Sequence, residues 1–101
     1  MAKINFSEHC YKKLRKVPKG KITTYKELAK AINSKAYRAV GTAMNKNPYA
    51  PNVPCHRVIN SNGKIGGFAS GTNNKIKMLK KEGIPIKNGK IINMKRYLYR
   101  F

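Results

Sequence analysis

The chain has 101 residues and carries 23 Lys plus Arg against 3 acidic residues, a net charge of +20. That length supports one core and excludes a two-domain enzyme, and the 41% hydrophobic content excludes a disordered polycation. No apolar run approaches the roughly 20 residues of a membrane span, and Cys10 and Cys55 are too few for a disulfide framework, so a soluble cytoplasmic protein (nuclear in a eukaryote) is expected.

Helix 1 is expected from about Phe6 to Lys16. Asn5 is its cap and Glu8 reaches back in a capping box; Phe6, Cys10, Leu14 and Val17 form its buried stripe, and Pro18 and Gly20 end it. A second capping box, Thr24 to Glu27, opens a short helix with Leu28, Ala29 and Ile32. Asn33-Ser34 makes a turn, and Ser34 caps a third helix from Lys35 to about Asn45. Ala36, Ala39, Val40, Ala43 and Met44 form its core face, with Lys35, Arg38, Gly41, Thr42 and Asn45 opposite. Two short helices joined by a tight turn read as a helix-turn-helix over about 24–46; an ordinary helical hairpin with a solvated face fits the same spacing.

The prolines between Asn47 and Pro54 exclude regular helix and make residues 47–59 a stiff loop that delivers Cys55-His56-Arg57-Val58-Ile59. Asn62-Gly63 predicts a type I′ hairpin pairing Val58-Ile59 with Ile65. A glycine-rich segment, residues 66–71, leads to a helix capped by Thr72 and closed by Gly83. Asn88-Gly89 predicts a second hairpin, and the basic, aromatic tail an edge strand. The expected fold is mixed α/β, mainly α: a winged-helix-like single domain over 1–101 with a basic tail at 84–101.

Genome bias accounts for abundant Lys, Asn, Ile and Tyr, but it also raises Glu, and only Glu8, Glu27 and Glu82 occur, with no Asp. Such a charge repels itself in the compact state and is relieved by a polyanion. Nucleic acid is therefore the expected partner, ahead of an anionic membrane surface.

Cys55-His56 is the one nucleophile–base pair that the sequence marks. A thiol is mostly protonated at neutral pH and needs a base or a positive field, which His56 and Arg57 supply. Glu82 stands at a helix C-terminus, where the dipole disfavours a carboxylate, so a specific role is indicated. If it packs against His56, the three form a Cys-His-Glu relay. The alternative is a buried Cys55 and a His56 that caps a turn. A zinc site from His9, Cys10, Cys55 and His56 matches no ligand spacing, so neither metal nor cofactor is expected.

Pro54-Cys55-His56-Arg57-Val58-Ile59 resembles the active-site motif of the O6-alkylguanine-DNA alkyltransferases (methylated-DNA–protein-cysteine methyltransferases). Gly20 to Tyr25 with Leu28-Ala29, Arg38 to Met44, Asn47-Pro48, Gly66-Gly67-Phe68 and Glu82-Gly83 resemble the family's other motifs in the same order, so the likeness runs from about Phe6 to Gly83. The resemblance implies single-use repair: an alkyl group passes from O6 of guanine (or O4 of thymine) in double-stranded DNA to Cys55, by a monomer that needs no cofactor and no membrane. It implies that His56 takes the thiol proton through a water and that Glu82 orients His56. Tyr25 donates to N3 of the leaving guanine, and Asn47 holds the hinge. Arg38 fills the space left by the flipped base. DNA contacts are implied for Tyr25, Lys35, Ala36, Gly41, Thr42 and Asn45, and an alkylguanine pocket for Val58, Phe68, Ala69 and Ser70. Most relatives carry an additional N-terminal domain, expected to be absent here. Ala69 and Ser70 replace a serine and a glycine of the pattern. Relatives without the cysteine bind DNA damage without transfer, which is the alternative function.

Overall fold

The computed structural model describes residues 5–50, 52–68 and 71–101. Its elements in order are α1 (Phe6–Leu14), β1 (Thr23–Thr24), α2 (Tyr25–Ala31), α3 (Tyr37–Asn45), a 3-10 turn (Cys55–Arg57), β2 (Val58–Ile59), α4 (Thr72–Lys81), β3 (Ile86–Lys87), β4 (Lys90–Ile91) and α5 (Met94–Tyr97). The mixed, mainly α fold expected from the sequence is the one adopted.

The caps work as local chemistry dictates. The Asn5 side chain accepts from the Glu8 N–H at 2.9 Å and Thr24 Oγ1 from the Glu27 N–H at 3.0 Å, each satisfying an orphan donor of a first turn. Glu8 does not reach back. Its carboxylate instead accepts the Tyr49 hydroxyl at 2.9 Å, a tertiary contact that outcompetes the local one. Helix α1 also ends earlier than periodicity suggests, with Arg15 as its C-cap.

Helix α3 begins at Tyr37 rather than at Lys35. Ser34 Oγ accepts from the Ala36 N–H two residues on, which closes a turn instead of capping a helix, and Ala36 at the N-cap has no side-chain bond to offer. Ala36 is consequently exposed and Ala39 half-buried, while Val40, Ala43 and Met44 carry the core face. Likewise Gly71, at φ +100°, is the cap position of α4; the Thr72 hydroxyl donates to the Gly66 carbonyl at 3.4 Å.

The strands depart most from expectation. Val58-Ile59 does not pair with Ile65. It pairs in parallel with β1, Thr23 opposite Val58 and Thr24 opposite Ile59. Gly63 alone takes a positive φ at the Asn62-Gly63 turn, so the type I′ geometry, which needs both residues there, does not form. The Ile65 N–H instead donates to the Gly89 carbonyl at 2.9 Å. The Asn88-Gly89 hairpin does form between β3 and β4, with φ of 52° and 73° at its two turn residues. The tail is a helical turn, α5, rather than an edge strand throughout. Within 95–101 only Leu98 pairs, beside Ile22, through the Ile22 N–H to the Tyr97 carbonyl at 2.8 Å and the Tyr99 N–H to the Ile22 carbonyl at 2.7 Å.

Two apolar clusters result. The larger joins α1, α2 and α3 to Val53, Cys55 and Val58. The smaller is built from Ile22, Ile59, Ile65, Leu79, Ile84 and Ile91. The β1–β2 pair lies where they meet, so Tyr25, the first residue of α2, and Cys55, just before β2, are brought to one place from 30 residues apart in the chain. Among the described residues no helix is long and apolar enough to cross a membrane.

Candidate active site and nucleic-acid interface

The loop carrying Cys55 is fixed from three sides. Asn47 bridges its ends, with Nδ2 donating to the Val53 carbonyl at 2.7 Å and Oδ1 accepting the Tyr49 N–H at 2.9 Å. Tyr49 docks on α1 through Glu8, an edge-to-face contact with Tyr11 and the Arg15 guanidinium 5.3 Å from its ring centroid. Proline at 54 then feeds the 3-10 turn, in which the Val58 N–H bonds the Cys55 carbonyl. Cys55 is left 6% exposed and His56 3% exposed, at the rim of the larger cluster.

His56 and Glu82 do meet. Nε2 of His56 stands 2.9 Å from Oε2 of Glu82. Against an ionised carboxylate Nε2 carries the proton, which leaves Nδ1 as the acceptor. Burial pushes the imidazole pKa down, the Glu82 bond and charge pull it up, and Arg57 and Lys75 push it down again; the net shift is downward. The ring is thereby held neutral and able to take a proton.

Glu82 is not dedicated to His56. Arg57 holds both of its oxygens, Nε to Oε1 at 2.9 Å and Nη2 to Oε2 at 2.7 Å, while Nη1 donates to the Val17 carbonyl at 2.9 Å. Burial raises the Glu82 carboxyl, but the bonds from Arg57 and His56 outweigh it and hold the group below the ordinary carboxylate range. This fork also resolves the awkward placement of a carboxylate at the end of α4, because a guanidinium neutralises what the helix dipole disfavours.

Lys75 is the residue that sequence reasoning missed. It is fully buried on α4, one turn before Leu79 and two before Glu82. Its ammonium donates to the Gly67 carbonyl at 3.2 Å and lies 5.8 Å from the Tyr25 ring centroid and 5.9 Å from that of Phe68. Burial lowers its pKa to about 8, and negative charge on the Cys55 sulfur works against that shift. The signal in sequence is a lysine at i−4 from a core leucine, obscured by Lys77, Lys80 and Lys81 on the same helix. Tyr25, half-buried, has its phenol raised by burial and then by the Cys55 charge, so it remains a proton donor.

Cys55, His56, Lys75, Tyr25 and Phe68 thus converge on one spot: a nucleophile, a neutral base, a buried cation, a phenolic donor and an aromatic wall. Val58 is buried just behind them. Ala69 and Ser70 lie outside the described residues. Arg38, Lys35, Ala36, Thr42 and Asn45 are exposed and Gly41 half-exposed; Arg38, Gly41, Thr42 and Asn45 lie on α3, and Lys35 and Ala36 in the turn before it. The Thr42 hydroxyl is turned inward along the helix to the Arg38 carbonyl at 3.1 Å. A groove of about 500 Å3 lies elsewhere, beside α1, so chemistry rather than a cavity locates this site.

A family model for the DNA-binding domain of 6-O-methylguanine DNA methyltransferase matches residues 5–84. The methylated-DNA–protein-cysteine methyltransferase of Methanosarcina mazei is 54% identical over 78 residues, 76% of this chain and 49% of the relative. The bifunctional methyltransferase/endonuclease of Picrophilus torridus is 40% identical over 100 residues, 98% of this chain and 33% of the relative. Among solved structures, S. pombe Atl1 in complex with damaged DNA containing O6-carboxymethylguanine superposes with a TM-score of 0.83 at 31% identity, covering 100% of both chains. The chain spans a third to about half of the length of these curated relatives. The tail, for which the sequence suggested no counterpart, falls within two of these matches. A family match over most of the chain, with the motifs in order on a helix-turn-helix scaffold, means that this protein belongs to the 6-O-methylguanine DNA methyltransferase family of DNA repair proteins, through that family's DNA-binding domain.

Proposed function

We propose that the chain repairs double-stranded DNA by moving an alkyl group from O6 of guanine, or O4 of thymine, to Sγ of Cys55, once per molecule. What carries this reading is the convergence of Cys55, the neutral His56 and the buried Lys75 next to Tyr25 at the end of the helix-turn-helix. Catalytic and DNA-binding residues then form one unit.

The damaged base is inside the stack, so it must be turned out at a cost of a few kcal/mol. Helix α3 lies in the minor groove, Lys35, Ala36, Gly41, Thr42 and Asn45 contact the duplex, and Arg38 occupies the vacated place, offsetting part of that cost. The base is received against Tyr25, Val58, Phe68, Ala69 and Ser70. The thiol proton passes to Nδ1 of His56, and Lys75 stabilises the negative sulfur from a fixed position in a dry site. Sulfur then forms its bond to the alkyl carbon as the carbon–oxygen bond breaks. The electron pair goes to the guanine ring, and Tyr25 donates to N3 to quench it. The product thioether has no good leaving group, so the protein is not regenerated. Asn47 keeps the loop under Cys55 in register throughout.

Incubation with a duplex containing O6-methylguanine should add one methylene to the intact mass, at Cys55, and then stop. Cys55→Ala should bind DNA and gain nothing, whereas Cys10→Ala should gain as the parent does. Burial raises the Cys10 thiol to about 11, which leaves it inert. A second reading, damage binding without transfer, is favoured by the full-length match to Atl1 on damaged DNA. Tight binding with no change of mass would select it.

A further inference from the structure

A groove of about 500 Å3 runs between α1 and the turn that joins α2 to α3. His9, Lys12, Lys13 and Lys16 form one wall, and Asn33 and Ser34 the other. The four basic residues stand at i, i+3, i+4 and i+7, the spacing of one helical face, opposite the buried Cys10, Tyr11 and Leu14. Neither ion pair among the described residues involves them; both belong to Glu82. No acid lines the groove, since Glu8 is held against Tyr49. The two smaller grooves, against the tail, are each lined by Glu27. Of these three grooves, the one beside α1 has charge of one sign.

We propose that this groove seats the sugar–phosphate backbone of the bound duplex beyond α3, with Lys12, Lys13 and Lys16 as its phosphate contacts. The inference rests on the DNA-binding reading above. Its independent support is continuity: the far wall, Asn33-Ser34, runs directly into Lys35 and Arg38, so a strand that leaves α3 enters the groove. From His9 to the end of α1 at Leu14 the helix rises roughly 8 Å, and Lys16 extends the row in the turn that follows. Consecutive phosphates along a strand stand at about twice the 3.4 Å axial step, so the row of lysines, on stems that reach past its ends, meets about two to three of them. Lysines act there as point charges on flexible stems and carry no base preference. Phe6 and Ile32 supply the apolar surface along which the stems lie.

The test compares two triple variants that remove the same charge: Lys12→Gln/Lys13→Gln/Lys16→Gln on α1, and Lys77→Gln/Lys80→Gln/Lys81→Gln on the outside of α4. Affinity for undamaged duplex is measured across salt concentrations, on a long duplex and on one trimmed to the span of α3. The α1 triple should flatten the log–log salt slope by about 2 to 3 on the long duplex and leave it unchanged on the short one. The α4 triple should change neither. Equal flattening by both triples would reduce the groove to general surface charge. A parental slope retained in the α1 triple would also overturn the proposal, as would loss of binding to polyglutamate without loss of binding to DNA. A parent protein whose affinity ignores salt would instead overturn DNA binding itself. Since all six lysines are exposed apart from the half-exposed Lys13, thermal unfolding should match the parent in both triples.

Discussion

Arg57 shows how much a single side chain settles at this site. Three of its nitrogens are engaged, two on Glu82 and one on the Val17 carbonyl, and it ties the turn that carries Cys55 to the end of α4 and to the segment after α1. Arg57→Gln should cost about 3 kcal/mol in chemical denaturation, because a half-buried carboxylate loses its counter-ion, and Arg57→Lys should recover little of it without the planar fork. Arg57 charge also holds the His56 pKa down. In Arg57→Gln that pKa rises, the base stays protonated to higher pH, and the acid limb of the transfer-rate profile should move upward. Lys75 makes the opposite bargain. Its pKa falls from 10.5 to about 8 on folding, so the unfolded chain holds the proton more tightly and stability rises with pH across that interval. Lys75→Met should therefore stabilise the fold by about 1 to 3 kcal/mol below pH 8, with the gain fading towards pH 10.5, while transfer slows at least about tenfold. Thermal melts in a pH series and single-turnover rates check the two halves.

At the scale of elements, the short β1–β2 pair matters beyond its two residues a side. It is parallel, so its partners come from distant parts of the chain and no hairpin enforces their register. Thr24 belongs to this pair and also caps α2, and Tyr25 follows it immediately. Thr24→Ala should lower stability by about 1 kcal/mol through loss of the cap, read from the denaturation midpoint. It should also slow transfer more than it weakens binding to undamaged duplex, because the phenol of Tyr25 loses its anchored neighbour. Thr24→Ser, which keeps the capping oxygen, should restore both.

For the whole molecule, a charge of +20 on 101 residues should make affinity for DNA steeply salt-dependent. Log affinity should fall linearly with log salt, by about 0.9 per phosphate contacted. Against that background Arg38→Ala should stand apart from Lys35→Ala. The lysine change should weaken binding uniformly and flatten the slope. The arginine change should lower the transfer rate on paired O6-methylguanine more than it lowers affinity, and the deficit should shrink opposite a mismatch, where extruding the base costs less. An equal deficit on paired and mispaired substrate would make Arg38 another phosphate contact.

Sequence alone determined the features whose energetics close within three or four residues. The Asn5 and Thr24 caps, the apolar stripes of α1 and α3 and the Asn88-Gly89 hairpin are of this kind, because a cap bond or a left-handed turn residue acts on its immediate neighbours. The motif around Cys55 was legible for the same reason, since its residues are contiguous. Tertiary structure decided the rest. Glu8 had a local bond available and made a distant one, to Tyr49. Val58-Ile59 had a plausible hairpin partner in Ile65 and paired with β1 instead, because that pairing buries Val58 and Ile59 in the two clusters. The sharing of Glu82 between His56 and Arg57, and the burial of one lysine among 23 basic residues, depend on where α4 packs. Those contacts join groups some 20 residues or more apart, and no local propensity encodes them.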